Sequence, residues 1–170
     1  MMMTVEADLF RTVMANFPAG VTIVTATTQA GEPRGLTVSA FCSVSLTPPL
    51  LLVCIDRTSN TLPAIRQSNG FTVNFLAADR TDLAMRFASK ATDKFVDVAY
   101  RDPSISEGGP ILEDSSAYSA CKVNHSLKVG DHWIFVGEME EGEFWEDRAP
   151  LVYCRREFAG WPPGQVPAAG

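Results

Sequence analysis

Between Arg34 and Ser45, RGLTVSAFCSVS, the chain alternates apolar residues with small and hydroxyl ones, and carries no charge after Arg34. A strand that served only a core would favour Val, Ile, Phe or Tyr at these places. Gly35, Thr37, Ser39, Ala40, Cys42 and Ser43 instead leave backbone N–H groups and hydroxyls within reach of a flat or anionic ligand, one established use of glycine in a strand. An edge strand or a tight barrel corner would use the same residues. A second candidate lies in DRTSNTLPAI, where Ser59, Asn60 or Thr61 can cap a short helix that carries Pro63 in its first turn. The free N–H groups and positive dipole end of such a helix attract an anion. Downstream, ASKATDKF sets Ser89, Lys90, Lys94 and Phe95 after a helical segment ending at Ala88. Two lysines and a serine there either form a solvated face or neutralise a phosphate. Finally, Gly130-Asp131-His132 reads as a turn entering a strand, with the imidazole either bonded to its neighbours or offered to a ligand.

Other chemistry is disfavoured. Cys121 and His125 would sit about 13 Å apart on one strand face at ~3.3 Å per residue, too far for one ion, so no metal site is expected. The four cysteines, Cys42, Cys54, Cys121 and Cys154, form no C-x-x-C pair and read as buried reduced thiols. With net charge −6 and 14 scattered basic residues, the chain has no footprint for nucleic acid or an anionic membrane. Any anion must be held by a local arrangement against the average field. No run approaches the roughly 18 apolar residues of a membrane helix. MMMTVEADLF lacks a basic n-region and a long apolar run, so a cytoplasmic protein is expected.

The elements that must position these residues follow from periodicity. Glu6 to Phe17 places Leu9, Phe10, Val13, Met14 and Phe17 on one helix face, stopped by Pro18 and Gly20. VTIVTATT, residues 21–28, is a strand that returns through Gln29 to Pro33 into the small-residue strand. Leu50 to Ile55 is a short apolar run, expected as a central buried strand; a helix then ends near Asn69-Gly70, and Phe71 to Leu76 is another strand. Asp79 to Ala88 is helical, with Leu83, Met85 and Phe87 as its apolar residues. Tyr100 to Ser116, rich in Pro, Gly and Ser, predicts a surface excursion. Ala117–Leu127 and His132–Met139 form a second hairpin, Glu140–Glu146 an acidic turn, and Leu151–Phe158 a last strand. About seven strands, three short helices and no strand–helix–strand rhythm favour a mainly β, antiparallel barrel with peripheral helices in one domain over 6–161. The segment 162–170 is expected as a disordered or extended tail.

Five segments in order, FRTVMANFPAGVTIVTA, GLTVSAFCSVSLTPPLLLVCIDRTSNT, FASKATDKF, GDHWIFVGEM and PLVYCRREFAGW, resemble the short-chain flavin reductases, the reductase components of two-component flavin-dependent monooxygenases. The resemblance spans residues 9–161. It implies a Greek-key, FMN-binding split β-barrel working as a homodimer with FMN or FAD near the subunit interface. It also implies an activity, in which NADH, or alternatively NADPH, reduces the flavin and the reduced flavin leaves for a separate monooxygenase. By position, the flavin ring and ribityl chain would lie along Pro33, Arg34, Gly35, Leu36, Thr37, Ser39 and Ala40, with Cys54 nearby. The phosphate would meet Asp56, Arg57, Ser59, Asn60 and Thr61, with Ser59 and Thr61 as hydroxyl donors. Ala88, Ser89 and Lys90 would face the same phosphate, and Lys94 and Phe95 would close that end. His132 would be the catalytic residue beside the nicotinamide, with Asp131 and Tyr153 bordering it. Two rivals share the barrel: a flavin-binding protein without reductase activity, and an oxidase of the pyridoxamine phosphate type. The latter needs a basic cluster around a second phosphate, for which only Arg155 and Arg156 are placed.

Overall fold

The computed structural model describes residues 4–104 and 107–162, so the expected tail lies largely outside the described residues. Three eight-residue helices, α1 (Ala7–Met14), α2 (Thr61–Ser68) and α3 (Thr81–Ala88), accompany twelve strands. In chain order these are β1 (Ala19–Gly20), β2 (Thr22–Thr27), β3 (Pro33–Val38), β4 (Phe41–Ser45), β5 (Leu50–Asp56), β6 (Gly70–Leu76), β7 (Tyr100–Arg101), β8 (Ile111–Leu112), β9 (Ser115–Val129), β10 (His132–Phe144), β11 (Leu151–Cys154) and β12 (Glu157–Gly160). Seven of them form one antiparallel sheet in the order β3-β2-β6-β9-β10-β5-β4. Its two edge strands are consecutive in sequence. Ser39 and Ala40 join them, and the Cys54 N–H bonds the Ala40 carbonyl at 3.0 Å, so the sheet curls until its edges meet at this joint. The result is a split β-barrel with few helices.

Period-two alternation builds the barrel interior. Val24 and Ala26 of β2, Val38 of β3, Val53 and Ile55 of β5, Phe71 and Val73 of β6 and Phe135 of β10 enclose Leu62, Ala64 and Ile65 of α2. Each large side chain here contributes about 1.5–3 kcal/mol by leaving water. A second core, with Ile23, Leu76, Leu83, Phe87, Leu112 and Leu151, fastens α3, β8 and β11 to the outer face of β2 and β6.

Several expectations are corrected by this packing. The stretch Arg34–Ser45 is not one strand: closing the barrel requires a corner, and it falls at Ser39-Ala40. Leu50–Ile55 is buried only at alternate positions and lies next to the β4 edge. Glu140–Phe144 continue β10, with Glu140 and Glu143 facing solvent and Glu141 largely covered, accepting the Tyr118 hydroxyl at 2.8 Å. Leu151–Phe158 is a hairpin that turns at Arg155 and Arg156, both at positive φ. The excursion after Tyr100 runs on the surface only in its first half, where Arg101, Asp102, Ser104 and Glu107 are exposed; Gly108 to Leu112 are buried against β2 and β6. A Cβ on Gly109 would stand 2.2 Å from the Ala26 nitrogen, so only glycine admits that approach. Met85 faces water, and Cys42 is exposed while Cys54 and Cys154 are half-buried. A bulge between His125 and Val123 skips Asn124, which leaves Cys121 buried and His125 exposed instead of sharing a face. No group of metal-binding side chains occurs among the described residues. Nor is any described helix long and apolar enough to cross a membrane.

Candidate functional site

Where the barrel splits, away from the Ser39-Ala40 joint, a groove of about 830 Å³ opens between β3, the end of β5, the start of α2 and the segment after α3. That volume is in the range of small-molecule and cofactor sites. Fourteen of the residues singled out in the sequence line it, namely Pro33 to Thr37, Asp56, Ser59, Asn60, Thr61, Ala88, Ser89, Lys90, Lys94 and Phe95. Ser39, Ala40, Cys54 and Arg57 do not. The first three belong to the barrel joint, where burial raises the Cys54 thiol above its ordinary value. The Arg57 N–H bonds the Asp131 carbonyl at 3.0 Å.

One wall is held by the protein's own aromatics. A Cβ on Gly35 would meet Phe87 ring carbons at 2.8 and 3.0 Å and Phe95 at 3.3 Å, so the glycine is needed for packing inside the chain. Phe87 and Phe95 meet edge to face at 5.0 Å. The Thr37 hydroxyl donates to the Ala84 carbonyl at 2.6 Å and ties α3 to β3. Lys94 donates from Nζ to the Phe87 carbonyl at 2.9 Å and the Gly35 carbonyl at 3.3 Å. No carboxylate among the described residues balances it, and burial lowers its pKa below the ordinary value. Arg34 is engaged by Glu32 at 2.6 Å.

The opposite wall begins with a turn. Asp56 Oδ1 accepts the Thr58 N–H at 2.7 Å and the Thr58 hydroxyl at 2.8 Å, and these bonds hold its carboxyl below the usual range. The turn delivers Ser59, whose Oγ accepts the Thr61 N–H at 3.1 Å and so caps α2, while the Asn60 side chain does not cap. Thr61 opens the helix with 2% exposure, and its hydroxyl has no hydrogen-bond partner among the described residues. The Asn60 carboxamide and the Lys90 ammonium are likewise unengaged there. Ser89 is not: its hydroxyl donates to the Arg86 carbonyl at 2.7 Å and accepts the Ala91 N–H at 3.2 Å. The groove thus offers a helix start, a capping hydroxyl, an unmet hydroxyl and two cations without counter-ions. That donor set fits a phosphorylated ligand.

His132 is the first residue of β10 and the cross-strand partner of Asp56, which does line the groove, but neither His132 nor Asp131 lines it. Its Nδ1 lies 2.7 Å from Asp131 Oδ1, a bond that orients the ring and holds the aspartate's pKa down. The following residue, Trp133, packs into the barrel core and carries the Arg66 guanidinium of α2 over its ring at 5.0 Å. Tyr153 sits on β11 against Phe158 at 4.9 Å and lines no part of this groove. Sequence reasoning missed Thr28, Pro63, Ala64, Gln67, Phe87, Ala91 and Thr92 as lining residues. The helical period that put Phe87 on the apolar face of α3 was the available signal for it.

Residues 14–162 match the family described as "Flavin reductase like domain". Among curated relatives, "Flavin reductase (NADH)" of Kitasatospora aureofaciens is 42% identical over 165 residues, covering 96% of this chain and 86% of its own. The reductase component of the 4-nitrophenol 4-monooxygenase/4-nitrocatechol 2-monooxygenase of Rhodococcus opacus is 42% identical over 154 residues, covering 91% and 80%. Among solved structures, the NADH:FAD oxidoreductase SgcE6 of Streptomyces globisporus, in complex with NAD and FAD fragments, superposes with a TM-score of 0.85 at 30% identity, covering 97% of this chain and 100% of that one.

Proposed function

This chain belongs to the flavin reductase-like family, and on that premise we propose that its groove serves an NAD(P)H:flavin oxidoreductase that hands reduced FMN or FAD to a separate monooxygenase. NADH is the favoured donor, since a relative named for NADH is 42% identical against 40% for one named for NADPH, and the lysines of the groove are taken up by the flavin phosphate in this reading. The observation that carries the site assignment is the pairing of an unmet Thr61 hydroxyl with the uncompensated Lys90 and Lys94 around the start of α2.

A bound flavin supplies the acceptor for the hydride of the nicotinamide. The chain's task is position, because hydride transfer needs two flat rings stacked with reacting atoms about 3–3.5 Å apart and little acid–base help. Ser59 and Thr61 donate hydroxyl bonds to the phosphate, and Lys90 adds a point charge. Backbone of Pro33 to Thr37 shelves the ring, with N–H donors available for charge that grows on reduction. Phe87 and Phe95 keep water from the far wall, and Lys94 fixes them to β3. His132, held by Asp131, bonds the nicotinamide carboxamide or the dinucleotide phosphates. The reductase domain is taken as residues 6–161.

Affinity for flavin is micromolar, about −8 kcal/mol, because the product must leave for its second enzyme. We also read the protein as a cytoplasmic homodimer that binds neither nucleic acid nor membrane; a nicotinamide substrate and the exposed apolar face of α1 support this. The test mixes protein, FMN or FAD, and NADH, and follows the nicotinamide absorbance. Turnover that requires both protein and added flavin is expected, and its absence with every flavin and nicotinamide pairing overturns the function. His132→Ala lowers kcat/KM for NADH with flavin affinity nearly unchanged; equal loss of both would sink its assignment.

A further inference from the structure

The groove does not end at the start of α2. Its volume of about 830 Å³ lies near the top of the ~300–1,000 Å³ range of small-molecule sites. Beyond Asn60, the residues Pro63, Ala64 and Gln67 also line it. Positions 60, 63, 64 and 67 recur at helical spacing, so one face of α2 borders the cavity for about 10 Å past the helix start at ~1.5 Å per residue. Thr28, a further lining residue, marks where this extension leads. β2 and β6 pair as far as Thr25 and Thr72, so the chain leaving β2 and the C-terminal end of α2, which enters β6, lie at the same end of the sheet.

The extension differs in chemistry from the anion site beside it. Pro63, Ala64 and Ala91 offer apolar contact. Arg34, which lines the groove next to the β2–β3 turn, is already taken up by Glu32 at 2.6 Å. The Gln67 carboxamide and the Thr92 hydroxyl, both exposed, make no hydrogen bond among the described residues. Apolar surface with one free carboxamide and one free hydroxyl suits a neutral, flat group that carries its own donors and acceptors. A carboxamide presents a donor and an acceptor side by side, which complements the N7 acceptor and N6 amino donor of adenine.

We propose that this extension is an adenine subsite read by Gln67, and that the chain accordingly takes FAD in preference to FMN. The proposal rests on the reading of the groove as the flavin site and deepens it. FMN ends at the phosphate held by Ser59, Thr61 and Lys90. FAD continues through a second phosphate into adenosine, and the base then falls along the face of α2 from Asn60 to Gln67. Gln67 is the specificity-determining residue, because it meets a part of the ligand that FMN lacks. NADH also carries an adenosine, so the test separates the two sources.

Isothermal titration calorimetry of the full chain with FAD and with FMN should give a Kd about tenfold lower for FAD. Gln67→Leu, at an exposed helix position, should erase that preference by weakening FAD while leaving FMN within about twofold. The KM for NADH, measured with FMN as acceptor, should not move in the variant. Equal affinities for the two flavins in the wild-type chain, or a preference for FAD that survives Gln67→Leu, overturns the proposal; FMN binding and turnover then leave the reductase reading standing. A raised KM for NADH with FMN assigns the adenosine to the nicotinamide donor and also overturns it. Binding of neither flavin overturns both readings. If Gln67→Leu fails to fold by circular dichroism, Gln67→Glu decides in its place, since a carboxylate keeps the acceptor for N6 and loses the donor for N7.

Discussion

Two parts of this molecule are written in nearly the same residues and do opposite things. On the outer face of β2 and β6, Thr25, Thr72 and Asn74 are fully buried. The Thr25 hydroxyl donates to the Pro110 carbonyl at 2.6 Å and that of Thr72 to the Gly109 carbonyl at 2.7 Å. Asn74 donates to the Ile23 and Pro110 carbonyls at 3.2 Å and accepts the Leu112 N–H at 2.8 Å. In the proposed flavin groove, Thr61 is nearly as hidden as a residue, but its hydroxyl opens to the groove and meets no partner among the described residues, and Asn60 and Lys90 stand open. Small polar residues on strands and helix starts therefore do not mark a binding site by type. Donors left over once the chain has satisfied itself do.

Substitutions can break this contrast, the largest effect lying on the closed side. Asn74→Ala strands the Leu112 N–H in a dry place, while the Pro110 carbonyl keeps the Thr25 hydroxyl, and should cost about 3 kcal/mol in urea unfolding, with flavin affinity of the folded fraction unchanged. Gly35→Ala sits between the two regions, since its methyl would press on Phe87 and Phe95. It should cost about 2 kcal/mol and weaken flavin binding as well, read by denaturation and by flavin titration.

The sharpest comparison makes one change twice. Thr25→Val should lose about 1.5 kcal/mol of stability at unaltered flavin Kd. Thr61→Val should stay within about 0.5 kcal/mol in stability yet weaken flavin about tenfold, or about 1.4 kcal/mol. If both changes act alike, the contrast is wrong.

The smallest effect follows pH. The pKa of Lys94 is lowered in the fold by burial, so the folded chain holds fewer protons there than the unfolded chain between that lowered value and 10.5. Stability from this group therefore rises with pH across that window. Flavin affinity moves the other way, because a phosphate favours the charged ammonium: Kd should weaken by about threefold as Lys94 deprotonates. Lys94→Met should flatten both profiles.

Much of this was legible in the residues. The β2–β3 hairpin was marked by β-branched density and the Gly31 turn, the end of α2 by Asn69-Gly70, and the β9–β10 hairpin by Gly130, because each depends on local backbone chemistry. The groove walls near residues 56–61 and 88–95 were legible for the same reason. A barrel corner or an edge strand was one reading of residues 34–45, but its place at Ser39-Ala40 was not legible, since barrel closure sets it and no local breaker announces it. Arg155 and Arg156 turn the chain at positive φ without glycine or asparagine, so two strands read as one. The acidic run Glu140–Glu143 looked like a turn, but a strand with one solvent-facing side tolerates charge. Gly108-Gly109-Pro110 looked like a loose loop, and only the outer face of β2 and β6 shows why it is packed.

The bracing of Trp133 by Arg66 has a mechanical meaning. Adjacent residues on a strand face opposite sides, so on the proposed site His132 would face the hydride donor while Trp133, one peptide unit away, carries the helix whose start would hold the acceptor's phosphate. Under that proposal both reactants would be gauged from a single point on β10. Shifting α2 by loosening that bracing would spoil their alignment even though Arg66 itself touches neither molecule.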